Sequence, residues 1–133
     1  MSQEQYEAIM AGRPDWSEKL RDPKPPARVK ADQNEWRRIR AAKVDGQPCR
    51  LCPEPATNAH HIVSRSLRGD DVAENIVGLC GSGTSGCHGL VEAHDPWACS
   101  LLGQRLTEPE LAYVLGKKGA FWLEARYGRR EAA

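Results

Sequence analysis

Two cysteine pairs, Cys49/Cys52 and Cys80/Cys87, constrain this chain more than any other feature. A tetrahedral zinc site needs four soft or borderline ligands, and a C-x2-C turn presents two thiolates to one ion with little strain. Cys49-Arg50-Leu51-Cys52 is such a turn, with Pro48 and Pro53 restricting the backbone on either side. The second pair encloses six residues, Gly81-Ser82-Gly83-Thr84-Ser85-Gly86. These are small enough to loop outward and still return both sulfurs to one metal. The pattern therefore predicts a structural Zn2+ at Cys49, Cys52, Cys80 and Cys87. The alternatives are two disulfides, buried free thiols acting as small apolar side chains, or a clip in which a histidine replaces Cys80 or Cys87. Met1 to Met10 has neither a basic start nor an apolar run, so an oxidising compartment is not implied. Cys99 is left over and reads as a small residue on an apolar face.

With 133 residues, 12 glycines and 9 prolines, the chain suggests one small domain plus extended arms. Aromatic residues are few, so a structural metal would help offset a thin core. No apolar stretch approaches the length needed to cross a bilayer, and a soluble, intracellular protein is expected.

The net charge of +1 conceals a segregation. Residues 1–50 carry 11 Lys/Arg against 8 Asp/Glu, residues 51–100 carry 2 against 6, and residues 101–133 carry 6 against 4. The basic part of the first block, residues 21–43, can neutralise phosphates by releasing counterions, which makes nucleic acid the natural partner. A solvated helix face is the competing reading of the same charges.

Along the chain, residues 1–32 read as an N-terminal extended or helical basic arm, extended through the proline-rich run Arg21-Asp22-Pro23-Lys24-Pro25-Pro26-Ala27. Residues 33–133 form the folded domain. Within it, Gln33 to Val44 suits a short basic helix with Trp36 and Ile39 near one face and Arg37, Arg38 and Arg40 on the others, stopped at Asp45-Gly46. Ala56 to Val63 suits a strand carrying His60 and His61, and Ile76-Val77-Gly78-Leu79 a second strand. Ser64 to Asn75 is a polar loop, and His88 to His94 a short helix. Asp95-Pro96 opens a helix that Gly103 ends, and Thr107-Glu108-Pro109-Glu110 is a capping box for another. A last turn holds Phe121, Trp122 and Leu123, with Tyr127 and Gly128 closing; these apolar residues are expected to cover the zinc core. Arg129 and Arg130 read as a frayed end. The fold class is α+β.

The order Cys-x2-Cys, Ala59-His60-His61-Ile62-Val63, Asn75-Ile76-Val77-x-Leu79-Cys80, Cys87-His88 resembles the HNH endonucleases, members of the ββα-metal (His-Me finger) nucleases. It is most similar to the small zinc-containing forms of bacteriophages and prophages. The resemblance covers about residues 47–94 and implies a small ββα-metal core held by a four-cysteine zinc site, flanked by helices (residues 95–130) and the N-terminal arm. Family members usually have two residues between the last two cysteines, so the six here amount to a four-residue insertion. Lying between two ligands of one zinc, it should bulge outward without moving His88.

Hydrolysing a phosphodiester requires an activated water, a cation to neutralise growing charge, and help for the departing 3′ oxygen. Adjacent strand residues point to opposite faces, so His60 and His61 cannot do the same job. The resemblance implies that His60 and His88 ligate a catalytic divalent ion (Mg2+, Mn2+, Ni2+ or Zn2+) and that His61 is the general base. A neutral imidazole suits that role. It also implies that Asn75 clamps the inter-strand loop and holds His61 in orientation. Glu92, one turn after His88, could orient that imidazole or face solvent. His94 is expected to be exposed. Arg65 and Arg68 in the loop, with Arg37, Arg38 and Arg40 on the basic helix, are the candidate DNA contacts. The expected function is a metal-dependent DNA endonuclease, leaving a 5′ phosphate and a 3′ hydroxyl as the family does. The expected setting is phage DNA processing or packaging in the host cytoplasm, with terminase-type packaging proteins as partners and a monomer or homodimer as the working unit. A zinc-stabilised DNA-binding module without catalysis is the rival. A thiol redox protein is disfavoured by Pro53 and the second cysteine pair.

Overall fold

The computed structural model describes residues 2–11 and 27–130. Strands β1 (Asn58–His61) and β2 (Ile76–Leu79) pair antiparallel, with His60 opposite Val77 and His61 opposite Ile76. All four residues of β2 are buried, as its unbroken apolar run requires. β1 is shorter than the eight residues expected, because the backbone leaves the ladder at both ends. The Ala56 amide turns back to the Gln47 carbonyl, and the Val63 amide donates to the Asn75 side chain (2.8 Å). Two strands alone are marginal in water. Support comes from outside the sheet.

Among the described residues, the helices between Gln33 and Tyr127 supply it. α1 (Gln3–Ala11) makes the first part of the N-terminal arm helical; the proline-rich residues 21–26 lie outside the described residues. α2 (Gln33–Lys43) begins where the Asp32 carboxylate accepts from the Glu35 amide and ends at Val44, as expected. α3 (Gly86–Glu92) follows the insertion and packs on β2. α4 (Pro96–Gln104) opens with Asp95 capping the Ala98 amide, and α5 (Glu108–Lys117) with the complete Thr107/Glu110 capping box. α6 (Ala120–Tyr127) closes at Gly128, which takes the left-handed conformation (φ 64°).

Three expectations about the C-terminal part are corrected. Gly103 does not end α4; it lies inside the helix, where a Cβ would stand 2.5 Å from the Tyr127 carbonyl oxygen. Its missing side chain lets α4 and α6 touch through backbone. Phe121 is 92% exposed and covers nothing, whereas Leu123 and Tyr127 are fully buried with Leu79, Val91, Leu102 and Val114. Arg129 is not frayed either, since it donates to the Gly103 carbonyl at 3.0 Å.

Two polar clusters fix the sheet's surroundings. The fully buried Glu110 carboxylate accepts from Arg50 (2.6 and 2.9 Å) and Lys43 (2.5 Å), tying α2, the first cysteine turn and α5 together. Burial would raise its pKa, but the hydrogen bonds from Arg50 and Lys43 bring it down to about 2. The second cluster ties residues 28–31 to the folded domain. The Val29 amide donates to Asp70 (2.6 Å), the Ala31 amide to Asp71 (3.2 Å), and Arg28 to Asp71 (2.8 Å). This strap lies against the loop beside His61.

Candidate functional site

The sulfurs of Cys49, Cys52, Cys80 and Cys87 all lie within 4.8 Å of one another, and all four cysteines are free. Cys52 and Cys80 are 3.5 Å apart. A disulfide would need about 2.05 Å; the edge of a tetrahedron of Zn–S bonds of about 2.3 Å is roughly 3.8 Å. Burial opposes a charge on Cys49, but backbone amides, led by that of Leu51, lower its pKa nonetheless. Burial and the neighbouring sulfurs push Cys87 up. Without a cation the cluster tolerates little negative charge, so the four cysteines fit, and could hold, a structural metal such as zinc. No histidine joins them in this cluster.

The insertion between Cys80 and Cys87 folds on itself. The Ser82 and Ser85 backbones bond each other (3.0 and 3.2 Å), and Gly81 and Gly86 take positive φ (86° and 63°) at its ends. Gly83, Thr84 and Ser85 are exposed, while the Cys87 amide returns to the Cys80 sulfur at 3.4 Å. His88 then starts from a fixed point, its amide bonded to the Cys80 carbonyl (3.0 Å).

A second cluster is built from His60 on β1 and His88 and Glu92 on α3. Each offers one ligand atom, and the three lie within 4.8 Å of one another. Tautomer bookkeeping shows what they lack. Tyr127 donates its only hydroxyl proton to the Ile62 carbonyl, so the contact between His60 Nε2 and the Tyr127 oxygen (3.0 Å) takes its proton from the histidine. In a neutral ring His60 Nδ1 is then a bare lone pair, and it faces Glu92 Oε1 at 3.1 Å. Burial pushes the His60 pKa below its ordinary value, against a second proton. His88 Nε2 stands 3.3 Å from the same carboxylate oxygen, and His88 Nδ1 is buried without a hydrogen-bond partner. Acceptors converge with too few protons among them; this is a set that could hold a cation.

His61 points to the other face of the strand and is half-buried. Its Nε2 lies 2.8 Å from Asp71 Oδ1, and its ring stacks on Trp36 (centroids 5.6 Å apart, planes 10° apart). The Arg65 guanidinium lies over the Trp36 ring at 5.4 Å. Burial lowers the His61 pKa, partly opposed by the Asp71 hydrogen bond. His61, His88, Glu92, Trp36, Arg40 and Arg65 all line one open cavity of about 320 Å³. His60 lies behind it, 2% exposed.

Asn75 does not touch His61. Its amide accepts from the Val63 amide (2.8 Å) and donates to the Val63 and Asp70 carbonyls (3.0 and 2.9 Å), clamping the loop as expected. Orientation of His61 falls instead to Asp71 and Trp36. Among the candidate DNA contacts, Arg40 and Arg65 reach the cavity; Arg37, Arg38 and Arg68 are exposed without lining it. His94 is exposed. Cys99 is buried and accepts from Arg126 at 3.0 Å. Reasoning from sequence left out Asp71, Trp36 and Tyr127 and left Glu92 open. For Asp71 the local signal was a turn-like Gly-Asp-Asp, which reads as loop chemistry.

No family model, curated protein or solved structure matches the chain. Among the described residues no helix is long and apolar enough to cross a membrane.

Proposed function

We propose that this protein is a metal-dependent DNA endonuclease of the HNH type, hydrolysing phosphodiester bonds. The observation that supports it is the cavity shared by His61, an imidazole with a lowered pKa, and by His88 and Glu92, two members of a trio short of protons whose third, His60, lies behind them. In this reading His61 takes a proton from the attacking water, which its neutral form can do at pH 7. A divalent ion (Mg2+, Mn2+, Ni2+ or Zn2+) held by His60, His88 and Glu92 would neutralise charge at the phosphate and the departing 3′ oxygen. Arg40 and Arg65, at the cavity wall, hold the flanking phosphates. Tyr127 keeps His60 in the tautomer that offers Nδ1 forward. The four cysteines take no part in the reaction and hold β2 and α3 in register. The family resemblance adds the products, a 5′ phosphate and a 3′ hydroxyl, and a role in phage DNA processing or packaging with terminase-type partners.

The test is supercoiled plasmid incubated with zinc-loaded protein, with and without Mg2+, Mn2+ or Ni2+, beside His61→Ala. Metal-dependent nicking that the substitution abolishes is the expected result. Binding without cleavage under every metal would leave a zinc-stabilised DNA-binding module.

A further inference from the structure

Asp71 is a buried carboxylate shared among four donors, one of which is the imidazole on which the proposed reaction depends. Oδ1 receives His61 Nε2 (2.8 Å), Arg28 Nη1 (2.8 Å) and Arg65 Nε (3.3 Å), and Oδ2 receives the Ala31 amide (3.2 Å). Arg28 and the Ala31 amide are enough to hold the strap, and Arg65 adds a second cation from the loop. The contact with His61 is therefore surplus to that task.

It is not surplus to the imidazole. An ionised carboxylate only accepts hydrogen bonds, so the nitrogen facing it must carry the proton. Burial alone would raise the Asp71 pKa, but the bonds from His61, Arg28 and Ala31 and the charge of Arg65 bring it down to about 2. His61 Nδ1 then carries the lone pair, and no described residue hydrogen-bonds it. Trp36, stacked on the ring face, prevents the imidazole from tipping away from the cavity.

We infer that Asp71 is a positioning residue: its carboxylate fixes the proton of His61 on Nε2 and so makes Nδ1 the atom that accepts a proton from water. Arg28 and Arg65 keep that carboxylate charged and in place. The strap and α2, although remote in sequence from the strand pair, are thus part of the catalytic apparatus. This rests on the endonuclease reading for its chemistry but not for its geometry.

Long-range 1H–15N spectra of 15N-labelled, zinc-loaded, full-length protein at pH 8 report which imidazole nitrogen is protonated. The His61 signals are identified by their loss in His61→Gln. The wild-type protein should show the Nε2–H tautomer. In Asp71→Leu, whose side chain offers Nε2 no acceptor, the Nδ1–H form should appear beside the Nε2–H form, and single-turnover nicking should fall at least about 100-fold. A wild-type His61 protonated on Nδ1 overturns the inference whether or not the variant folds. So does a signature that Asp71→Leu leaves unmoved, or wild-type nicking by that variant. If the signature moves but the wild-type protein nicks no plasmid with any metal, the endonuclease reading fails and the Asp71–His61 linkage stands.

Discussion

The two metal-competent clusters share α3 and the Cys80–His88 segment, yet they differ in every property that decides what a metal does. The cysteine cluster has four like, soft donors, enough to close a tetrahedron and leave no position open. The histidine cluster has three unlike donors, one of them a half-exposed carboxylate, beside a solvent-filled cavity. Four like donors can close a coordination shell; three donors beside an open cavity leave a position free. One short helix touches both clusters, because its first turn carries Cys87 and His88 and its next turn Glu92.

The contrast is broken most severely from the cysteine side. Cys49→Ala should lose bound zinc and the folded state together, because structural zinc contributes on the order of 10 kcal/mol in small domains. Zinc analysis with circular dichroism checks this; a folded, zinc-free Cys49→Ala would make the two clusters equivalent. His61→Ala, by comparison, should keep about one zinc per chain.

A smaller effect separates the brace of the cysteine turn from the turn itself. Glu110→Gln leaves Arg50 and Lys43 facing a neutral amide and should cost about 3 kcal/mol at pH 7 in urea unfolding. Glu110 has its folded pKa depressed to about 2 from 4.5, so its contribution is complete above pH 4.5 and is lost as pH falls toward 2. The gap between wild type and variant should accordingly narrow by about 1 kcal/mol at pH 4. A gap independent of pH would mean that the carboxylate charge is not what braces the turn.

The smallest effect sharpens the histidine side. Glu92→Gln keeps the shape of the side chain and removes a charged donor, so cleavage at limiting Mn2+ should fall about 10-fold and recover at saturating Mn2+. Thermal stability should stay within about 0.5 kcal/mol of wild type, since Glu92 is half-exposed. Loss that no amount of Mn2+ restores would remove Glu92 from the cation set.

What could be read in the sequence was whatever local chemistry encodes. The cysteine turns, the Thr107–Glu110 capping box, the Asp95-Pro96 helix start and the β2 strand each depend on residues within a few positions of one another, and each appears where expected. Contacts made across the chain had no such signal. Glu110 reads as a helix cap, which it is, but its bonds to Arg50 and Lys43 span 60 and 67 residues. Gly103 reads as a stop, yet it is small because α6 crosses it. Asp71 reads as turn chemistry, and only the strap and β1 meeting around it reveal a partner for His61. His60, His61 and His88 stand out in the sequence as candidates, while Tyr127 and Asp71, which meet the first two of them, do not.

Tyr127 carries one further consequence. Its hydroxyl reaches both His60 and the Ile62 carbonyl from 65 or more residues downstream, and it does so only when α6 lies across α4. Every ligand of the histidine cluster is synthesised long before that helix. A ribosome-bound chain would thus carry the members of the cluster without their arrangement, which is complete only when α6 docks.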